Sequence, residues 1–413
     1  MTLFATVELA PRDPILGLTE QFNADTNPVK VNLGVGVYQD QNGKLPLLAC
    51  VKAAEAQLTD AAKPRGYLPI DGIAAYDRAV QQLVFGADSA LLQAGRVATV
   101  QAVGGTGGLK VGADFLKKLR PNAKVLISDP SWENHRALFT NAGFKVESYA
   151  YYDAQNRGVD VAAMLADLSA AAPGSIVVLH ACCHNPTGYD ISPAQWQQVI
   201  DVCHVRELVP FLDMAYQGFG DGITEDGSVV KQFADAGLDF LVSTSFSKSF
   251  SLYGERVGAL NVVCASREEA QRVLSQLKIS IRVNYSSPPT HGAQVVTMVL
   301  EDVALRAQWG LPPLTLSSDV QAMASDTRLP LEQAARQTGA QATSTQRVAL
   351  QSTPAPAAAA AAVRAADEMA SAPQWMLRDV GLDRYVSAHR KMPLAAEMPG
   401  RAEPMVQLVR AEK

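Results

Sequence analysis

Cysteine is scarce in this sequence of 413 residues, and it is not arranged for disulfides or for a metal. Five cysteines are present, which is an odd number, and no two of them have the C-x-x-C spacing. Disulfide-stabilised secreted folds and structural zinc sites both require more regularly spaced cysteines. We therefore expect a protein of the reducing cytoplasm.

Charge and apolar residues are not concentrated anywhere along the chain. The net charge is -5 and there is no dense basic run, which argues against a nucleic-acid partner. No apolar stretch reaches the roughly 20 residues that cross a membrane. The first residues, M-T-L-F-A-T-V-E-L-A, lack the basic start and the apolar core of a signal peptide. We expect neither a nucleic-acid partner nor a membrane partner.

From about residue 97 onward, short apolar runs alternate with stretches that have helical spacing. The predicted strands are 97–103, 124–128, 175–180, 209–213 and 240–244, and helices are predicted at 109–119 and 193–206. Such alternation predicts an α/β fold with a mostly parallel central sheet and helices on both faces. In folds of this kind, ligands bind at the carboxyl ends of the strands.

Polar and glycine-rich segments follow several of these strands. Gly104–Gly108, Asn185, Asp213 and Lys248 each come directly after a predicted strand, so we expect them to meet in one crevice. The glycines are predicted to form a turn whose backbone amides, with the next helix N-terminus, would hold a phosphate. The spacing does not fit G-x-G-x-x-G, so dinucleotide binding is the poorer interpretation.

Lys248 stands in a hydroxyl-rich turn, S-T-S-F-S-K-S-F-S, and Arg256 follows eight residues later. Burial or a nearby cation lowers the pKa of a lysine from about 10.4 and frees the amine to form a Schiff base. The hydroxyls and the guanidinium would suit a phosphate beside that amine. Pyridoxal phosphate carries both an aldehyde and a phosphate. The alternative is a surface lysine in a polar loop.

Three further side chains would suit a pyridine ring. Asp213 ends a predicted strand, and a carboxylate facing a pyridine nitrogen keeps that nitrogen protonated. Tyr216 follows three residues later, and its hydroxyl would bond the phenolate oxygen of the ring. Trp132 would stack on the flat ring, although it would equally suit a core position.

The segment His180–Gly188, H-A-C-C-H-N-P-T-G, offers a rival interpretation as a zinc site, since it holds two histidines and two cysteines. Adjacent cysteines do not fit the usual spacing, and strand alternation would point Cys182 and Cys183 to opposite faces. We favour a fixed turn at Asn185-Pro186 that presents Asn185.

Together these segments resemble the class I, fold-type I pyridoxal phosphate-dependent aminotransferases, in their aspartate and aromatic amino-acid branch. The resemblance runs from about Pro14 to Trp309 and rests on G-G-T-G-G-L-K, D-P-S-W-E-N-H, H-N-P-T-G, F-L-D-M-A-Y-Q-G-F-G, S-F-S-K-S-F-S-L-Y-G-E-R-V-G and I-R-V-N-Y-S-S-P-P-T-H-G-A. It implies amino-group transfer from aspartate or an aromatic amino acid to 2-oxoglutarate. It also implies a homodimer with shared active sites. Two segments, A-C-C-H-N-P-T-G and N-Y-S-S-P-P, are more similar to the aromatic amino-acid aminotransferases of this branch.

The resemblance further implies roles for individual residues. Lys248 would be the catalytic Schiff-base lysine, and Asp213 would face the pyridine nitrogen. The other implied cofactor-binding residues are Tyr216 and Asn185 at the phenolate oxygen, Trp132 on the ring, and Gly105, Thr106, Ser245, Arg256 and the partner subunit's Tyr67 at the phosphate. The implied substrate-binding residues are Gly36, Trp132, Asn185 and the partner subunit's Arg282, which would bind a distal carboxylate.

The sequence departs from the family after about residue 309. Members contain a segment like S-G-R-I-N-V-A-G near the C-terminus, and its arginine binds the substrate α-carboxylate. No such segment follows Trp309 here, and Thr353–Val363 is the low-complexity run T-P-A-P-A-A-A-A-A-A-V. We predict three regions: 1–45, an N-terminal arm and small-domain segment; 46–309, a large cofactor-binding domain; and 310–413, a divergent C-terminal region.

The missing arginine raises an alternative function. The chain would then be the product of a frameshift or fusion that binds pyridoxal phosphate, has severely weakened or absent transamination, and carries a C-terminal interaction tail. A lyase or decarboxylase on the same fold is a third interpretation. It is less favoured because Arg282 matches a position that binds a dicarboxylate.

Overall fold

The computed structural model describes residues 2–9, 20–27, 36–38 and 44–310. These residues fall into two units, one with 2–9, 20–27, 36 and 37, the other with 38 and 44–310. In the first unit residues 20–24 are helical, and the side chains of Leu3, Phe4, Val7 and Leu9 are exposed. The predicted C-terminal region lies outside the described residues except for Gly310. The predicted boundaries at 45 and 309 stay predictions.

The second unit alternates helices and strands along the chain. Its helices are α1 (Ala49–Ala61), α2 (Ala74–Phe85), α3 (Ala90–Gln93), α4 (Gly104–Leu119), α5 (Glu133–Asn141), α6 (Val161–Ala170), α7 (Pro193–Val205), α8 (Ile223–Asp235), α9 (Arg267–Asn284), α10 (His291–Glu301) and α11 (Val303–Gly310). Its strands are β1 (Val97–Val103), β2 (Lys124–Asp129), β3 (Lys145–Ala150), β4 (Tyr152–Asp153), β5 (Gly158–Val159), β6 (Ile176–His180), β7 (Val209–Met214), β8 (Phe240–Ser245) and β9 (Val257–Val263).

The central sheet of this unit has the strand order β1-β9-β8-β7-β6-β2-β3. Strand β9 is antiparallel to both β1 and β8, and the pairs β8-β7, β7-β6, β6-β2 and β2-β3 are parallel. Because β9 alone is reversed, β1 runs in the same direction as the parallel strands. The carboxyl ends of β1, β2, β6, β7 and β8 therefore lie at one edge, where a ligand site is expected. The predicted mostly parallel α/β sheet is confirmed.

Buried apolar side chains form one layer on each face of the sheet. One layer includes Tyr76, Leu212 and Phe233, and the other includes Leu109 and Phe211. Neighbouring residues of β7 enter opposite layers because side chains alternate along a strand. None of the described helices is both long and apolar enough to cross a membrane.

The glycine segment after β1 corrects one local prediction. The predicted helix 109–119 begins instead at Gly104, so the glycines form its first turns rather than a separate turn. Glycine disfavours a helix by about 1 kcal/mol, but packing demands it here. A Cβ at Gly108 would lie 2.6 Å from Ser243 Oγ. Close contact of α4 with the sheet therefore overrides propensity.

Helix α7 begins as predicted. Ser192 Oγ accepts the backbone N–H of Gln195, the Gln195 side chain accepts the N–H of Ser192, and Pro193 occupies the first helical position. Such a capping box satisfies two backbone donors that a helix start leaves unpaired. The cap fixes the start of the helix that follows the Asn185 loop.

The last described helix packs beside the Lys248 loop. The indole N–H of Trp309 donates to the carbonyl oxygen of Ser249 over 2.8 Å, and the Trp309 ring stacks on Phe250 with centroids 4.6 Å apart. Helix α11 therefore supports the turn that carries Lys248.

Candidate active site

The segments that follow five strands meet at the carboxyl edge of the sheet. They are Gly104 after β1, Trp132 after β2, Asn185 after β6, Asp213 at the end of β7, and Lys248 after β8. Hydrogen bonds and ring contacts through His135 and His180 join Trp132, Asn185 and Asp213 into one cluster. The structure thus brings together the residues that the sequence places after strand ends.

The carboxylate of Asp213 is enclosed at the base of this cluster. Only 6% of the residue is exposed, and His135, which is 0% exposed, places Nε2 at 2.9 Å from Asp213 Oδ2. Burial alone would raise the pKa of Asp213. The hydrogen bond from His135, reinforced by the nearby Lys248 amine, outweighs burial and holds the pKa below its usual value. The structure therefore maintains a buried negative charge.

A chain of hydrogen bonds continues from this pair to the Asn185 loop. Ser131 Oγ lies 2.9 Å from His135 Nδ1 and 3.3 Å from His180 Nε2, and the Asn185 N–H points to His180 Nδ1 at 3.5 Å. Burial, reinforced by neighbouring His135, lowers the pKa of His180 to about 3. A neutral His180 that accepts from Asn185 and donates to Ser131 satisfies every bond in the chain.

The amine of Lys248 lies beside this cluster and is half-buried. Its Nζ is 4.8 Å from the centroid of the Tyr216 ring. Burial lowers the pKa of Lys248, the charge of Arg256 lowers it further, and Asp213 opposes both. Burial also raises the pKa of Tyr216, as do Asp213 and other acidic neighbours. The amine is thus shifted toward its neutral, nucleophilic form, while the phenol keeps its proton.

Arg256, Gly104 and Ser245 form a cationic cradle. A Cβ at Gly104, where φ is +70°, would lie 2.5 Å from Arg256 Nη2, and a Cβ at Gly105 would lie 3.0 Å from Ser245 Cβ. Arg256 Nη1 donates to Ser247 Oγ over 3.1 Å, which fixes the guanidinium. The absent side chain at Gly104 leaves room beside the arginine.

The start of helix α4 lies in the same cradle. Gly105 and Thr106 belong to its first turn, and the first backbone N–H groups of a helix have no partner within it. Together with the guanidinium they favour a dianion such as a phosphate. Ser243 Oγ donates to the carbonyl oxygen of Gly105 over 2.9 Å and holds the turn in place.

These groups fit pyridoxal phosphate. The cradle would take the phosphate, the enclosed carboxylate of Asp213 would face the ring nitrogen, and the Lys248 amine would meet the aldehyde. Trp132 is half-buried at the same edge, with its ring 5.2 Å from that of His135 in an edge-to-face contact. It is therefore available to pack against a flat ring.

The Asn185 loop is fixed by a second histidine. The imidazole of His184 lies 2.9 Å from Ser128 Oγ and 2.8 Å from Thr187 Oγ1, and it stacks on Tyr151 with centroids 3.8 Å apart. The loop is thereby held against the end of β2, which positions the half-buried Asn185 at the crevice.

The two neighbouring cysteines correct another prediction. Their side chains do not point to opposite faces, because β6 ends at His180 and the chain bends there. Ligand atoms of Cys182, Cys183 and Asp226 lie within 4.8 Å of one another. However, the Asp226 carboxylate accepts backbone N–H groups of Gly218, Gly220 and Asp221, so it holds the loop after Tyr216.

The remaining three predicted residues are exposed rather than enclosed. Tyr67 is 98% exposed. Arg282 is exposed in the last turn of α9, where it donates to Ser286 Oγ. Gly36 belongs to the first unit and is exposed.

His135, Ser131 and His180 are the site residues that sequence reasoning missed. His135 and Ser131 stand inside the motif D-P-S-W-E-N-H. Nothing in the spacing pairs His135 with Asp213, which is 78 positions away. The one signal in the sequence is that His135 follows a predicted strand and Asp213 ends another, which places both residues near the carboxyl edge of the sheet.

Comparisons with known proteins agree with this geometry. Residues 28–329 match the family described as aminotransferase class I and II. The chain is 65% identical to an aspartate aminotransferase of Pseudomonas aeruginosa over 309 residues, covering 75% of this chain and 78% of the relative. It is 52% identical to the aromatic-amino-acid aminotransferase of Escherichia coli over 310 residues, covering 74% and 78%.

A solved structure shares the fold over most of the chain. The aromatic-amino-acid aminotransferase of Burkholderia pseudomallei, covalently bound to pyridoxal phosphate, superposes with a TM-score of 0.76 at 62% identity. The superposition covers 78% of this chain and 81% of that one.

Proposed function

Because the chain belongs to the class I and II aminotransferases, and is thus a pyridoxal phosphate-dependent transaminase of fold type I, we propose that aspartate or an aromatic amino acid is its amino donor and 2-oxoglutarate its acceptor. The observation that carries this proposal is the half-buried Lys248 amine, whose pKa is lowered by burial, opposed by the Asp213 carboxylate and lowered further by Arg256. The mixture of aspartate and aromatic aminotransferases among similar proteins supports both donor classes.

The cofactor, when bound, supplies an aldehyde for amine exchange and a ring that accepts electrons from the substrate Cα. We assign its phosphate to Gly105, Thr106, Ser245 and Arg256. Asp213 would hold a proton on the ring nitrogen, and the buried hydrogen bond from His135 would keep that carboxylate charged. Tyr216 and Asn185 would bond the ring hydroxyl, and Trp132 would cover the ring face.

Lys248 has two tasks in this proposal. Its amine would hold the cofactor in the resting enzyme and would be released by the incoming amino acid. The free Nζ would then be available to accept the proton from the substrate Cα as general base and, once protonated, to act as general acid. The lowered pKa of Lys248 increases the fraction of neutral amine that can accept this proton.

Tyr67 and Arg282 require a second subunit. Both side chains are exposed on their own chain. We infer a homodimer, in which Tyr67 of the partner subunit reaches the phosphate and Arg282 of the partner subunit binds the distal carboxylate of aspartate or 2-oxoglutarate. A guanidinium matches a carboxylate with two parallel hydrogen bonds. Gly36 would lie beside the substrate. We place the enzyme in the cytoplasm.

The comparisons give no support to the alternative of a catalytically impaired product. That expectation depends only on the missing S-G-R-I-N-V-A-G segment and its α-carboxylate arginine. A transamination assay on the purified protein distinguishes an active enzyme from this impaired product.

The proposal is tested on purified protein loaded with pyridoxal phosphate. We expect a visible absorption band that borohydride removes, leaving the cofactor attached to the peptide that contains Lys248. We also expect turnover of aspartate and phenylalanine with 2-oxoglutarate. Label on another lysine would refute the site. Labelled protein that turns over neither donor would refute the proposed substrates and favour the impaired alternative.

A further inference from the structure

Gln101 is a buried polar residue near the end of β1, and no step proposed above uses it. It is 1% exposed. Its side-chain amide is nevertheless fully engaged: Nε2 donates to the Pro289 carbonyl oxygen over 2.6 Å, and Oε1 accepts the Ile73 N–H over 3.3 Å. The backbone N–H of Gln101 also donates to the Asp71 carbonyl oxygen over 2.8 Å. A buried amide with both ends satisfied fixes the groups that it joins.

The groups that Gln101 joins belong to the two segments that carry Tyr67 and Arg282. Asp71 and Ile73 end the loop that carries exposed Tyr67. Pro289 follows the end of α9, which carries Arg282. Tyr67 and Ser286, the residue to which Arg282 donates, border one open cavity of about 470 Å³. Gln101 therefore connects the two segments whose exposed residues are assigned to the partner's site.

The contact with the first segment leaves no free space. Gly72 has φ of +107°, and a Cβ there would lie 2.4 Å from Gln101 Cβ. The same two segments are also joined by an ion pair, in which Lys278 Nζ of α9 lies 2.8 Å from Asp71 Oδ2. The two segments are thus held in one arrangement by a buried amide and an ion pair.

We propose that Gln101 is a positioning residue that sets Tyr67 and Arg282 of its own subunit for use in the partner subunit's active site. This inference rests on the proposed function, because it requires the dimer and the dicarboxylate substrate. Through Arg282, Gln101 affects recognition of a dicarboxylate in the other subunit. A purely structural role would instead lower stability without changing the preference among substrates.

Thr99 supplies a matched control. It lies two residues earlier on the same face of β1 and is 5% exposed. Its hydroxyl donates to Asn261 Oδ1 over 2.7 Å and accepts from Gln81 Nε2 over 2.8 Å. Thr99→Val and Gln101→Met each remove two side-chain hydrogen bonds and keep most of the volume. Of these two residues, Gln101 is the one whose side chain bonds to the segments that carry Tyr67 and Arg282.

The experiment compares both variants in the cofactor-loaded dimer. We expect Gln101→Met to raise KM for aspartate and the dissociation constant of succinate, an unreactive dicarboxylate, by about tenfold, because small displacements of a positioned group are costly. We expect KM for phenylalanine and kcat to change by less than about threefold. Thr99→Val should lower the melting temperature and leave the ratio of the two KM values unchanged. If Gln101→Met does not fold, Gln101→Asn is judged by the same criteria.

Hybrid dimers with one Lys248→Ala subunit locate the effect, since only the other subunit keeps a working lysine. We expect the loss of aspartate affinity when Gln101→Met is on the Lys248→Ala subunit, and none when it is on the other. The reverse pattern, or an unchanged KM ratio in the Gln101 variant, overturns the inference alone. If Arg282→Ala leaves KM for aspartate unchanged, the proposed role of Arg282 fails and the inference fails with it, whereas turnover of aspartate and phenylalanine still tests the proposed function separately.

Discussion

The candidate site has a buried half and an exposed half. In the buried half, Asp213 and His135 are enclosed within one chain and Lys248 is half-covered. In the exposed half, Tyr67 is 98% exposed and Arg282 lies on the surface. Proton transfer and control of the ring nitrogen are assigned to the first half. In the second half, Tyr67 is assigned to the partner subunit's cofactor phosphate and Arg282 to the distal carboxylate of its substrate.

The difference follows from electrostatics. Charges interact several times more strongly in a protein interior than in water, so the Asp213 carboxylate can act on a ring nitrogen without a second subunit. An exposed arginine gains little from a carboxylate until its surroundings lose water. We therefore expect Arg282 to bind a carboxylate only where a partner subunit covers it, whereas Asp213 and His135 are enclosed by their own chain.

The largest effect is expected from Lys248→Ala in the buried half. Loss of the amine removes proton transfer as well as cofactor attachment, and we expect about 10⁴-fold lower kcat for every donor. Cofactor should still bind through the phosphate cradle, but borohydride should no longer fix it. Lys231→Ala, which removes an exposed lysine paired with Asp235, should leave turnover unchanged. Near-normal turnover of Lys248→Ala would contradict the assignment.

A smaller loss is expected from Asp213→Asn. The amide keeps the shape of the side chain but removes the buried charge that holds a proton on the ring nitrogen. Removing one preorganised electrostatic group costs about 10²–10³-fold in kcat. In steady-state kinetics, the ratio of the variant's kcat to that of the wild type should be the same for aspartate and for phenylalanine. A loss confined to one donor would place Asp213 in recognition instead.

The exposed half should respond selectively. Arg282→Ala should lower kcat/KM for aspartate by roughly 10- to 1,000-fold, because hydrogen bonds to charged groups are worth about 1.5–3 kcal/mol each. The value for phenylalanine should change little, since that donor has no distal carboxylate. Arg272→Ala, an exposed arginine on the same helix, is the control. Equal losses for the two donors would remove Arg282 from substrate recognition.

The smallest effects concern the Lys248 amine in the cofactor-free protein. Its pKa is expected below the usual 10.5 because of burial. Asp213→Asn removes a charge that favours the ammonium form, so the pKa should fall further. Arg256→Gln removes a repulsive charge, so the pKa should rise. The pH dependence of Lys248 labelling by an amine-reactive reagent, read by peptide mass, measures both. Shifts of the same sign in the two variants would contradict the geometry.

Much of the buried half could be predicted from sequence because strand ends meet at one edge. The apolar runs around Val97 and Phe240 predicted strands, and Asp213 and Lys248 followed such runs directly. Helix boundaries were less secure. Gly104 begins a helix only because α4 must approach the sheet closely, and that contact is not visible in local propensity.

Long-range contacts could not be predicted in this way. His135 meets Asp213 across 78 positions, and Gln101 meets Pro289 across 188. A single sequence gives no spacing rule for such pairs. The cysteine prediction was wrong for a local reason, since the strand ends at His180 and alternation does not extend to Cys182.

The central claim is that each active site combines the buried half of one subunit with the exposed half of its partner. Co-expression of Lys248→Ala and Arg282→Ala subunits with different tags would yield purified hybrid dimers. One site in each hybrid would then have both an intact Lys248 and the partner's intact Arg282. We expect both parent homodimers to be nearly inactive toward aspartate and the hybrid to recover about half of wild-type turnover, as one of two symmetric sites is intact. A hybrid as inactive toward aspartate as its parents would contradict the shared site.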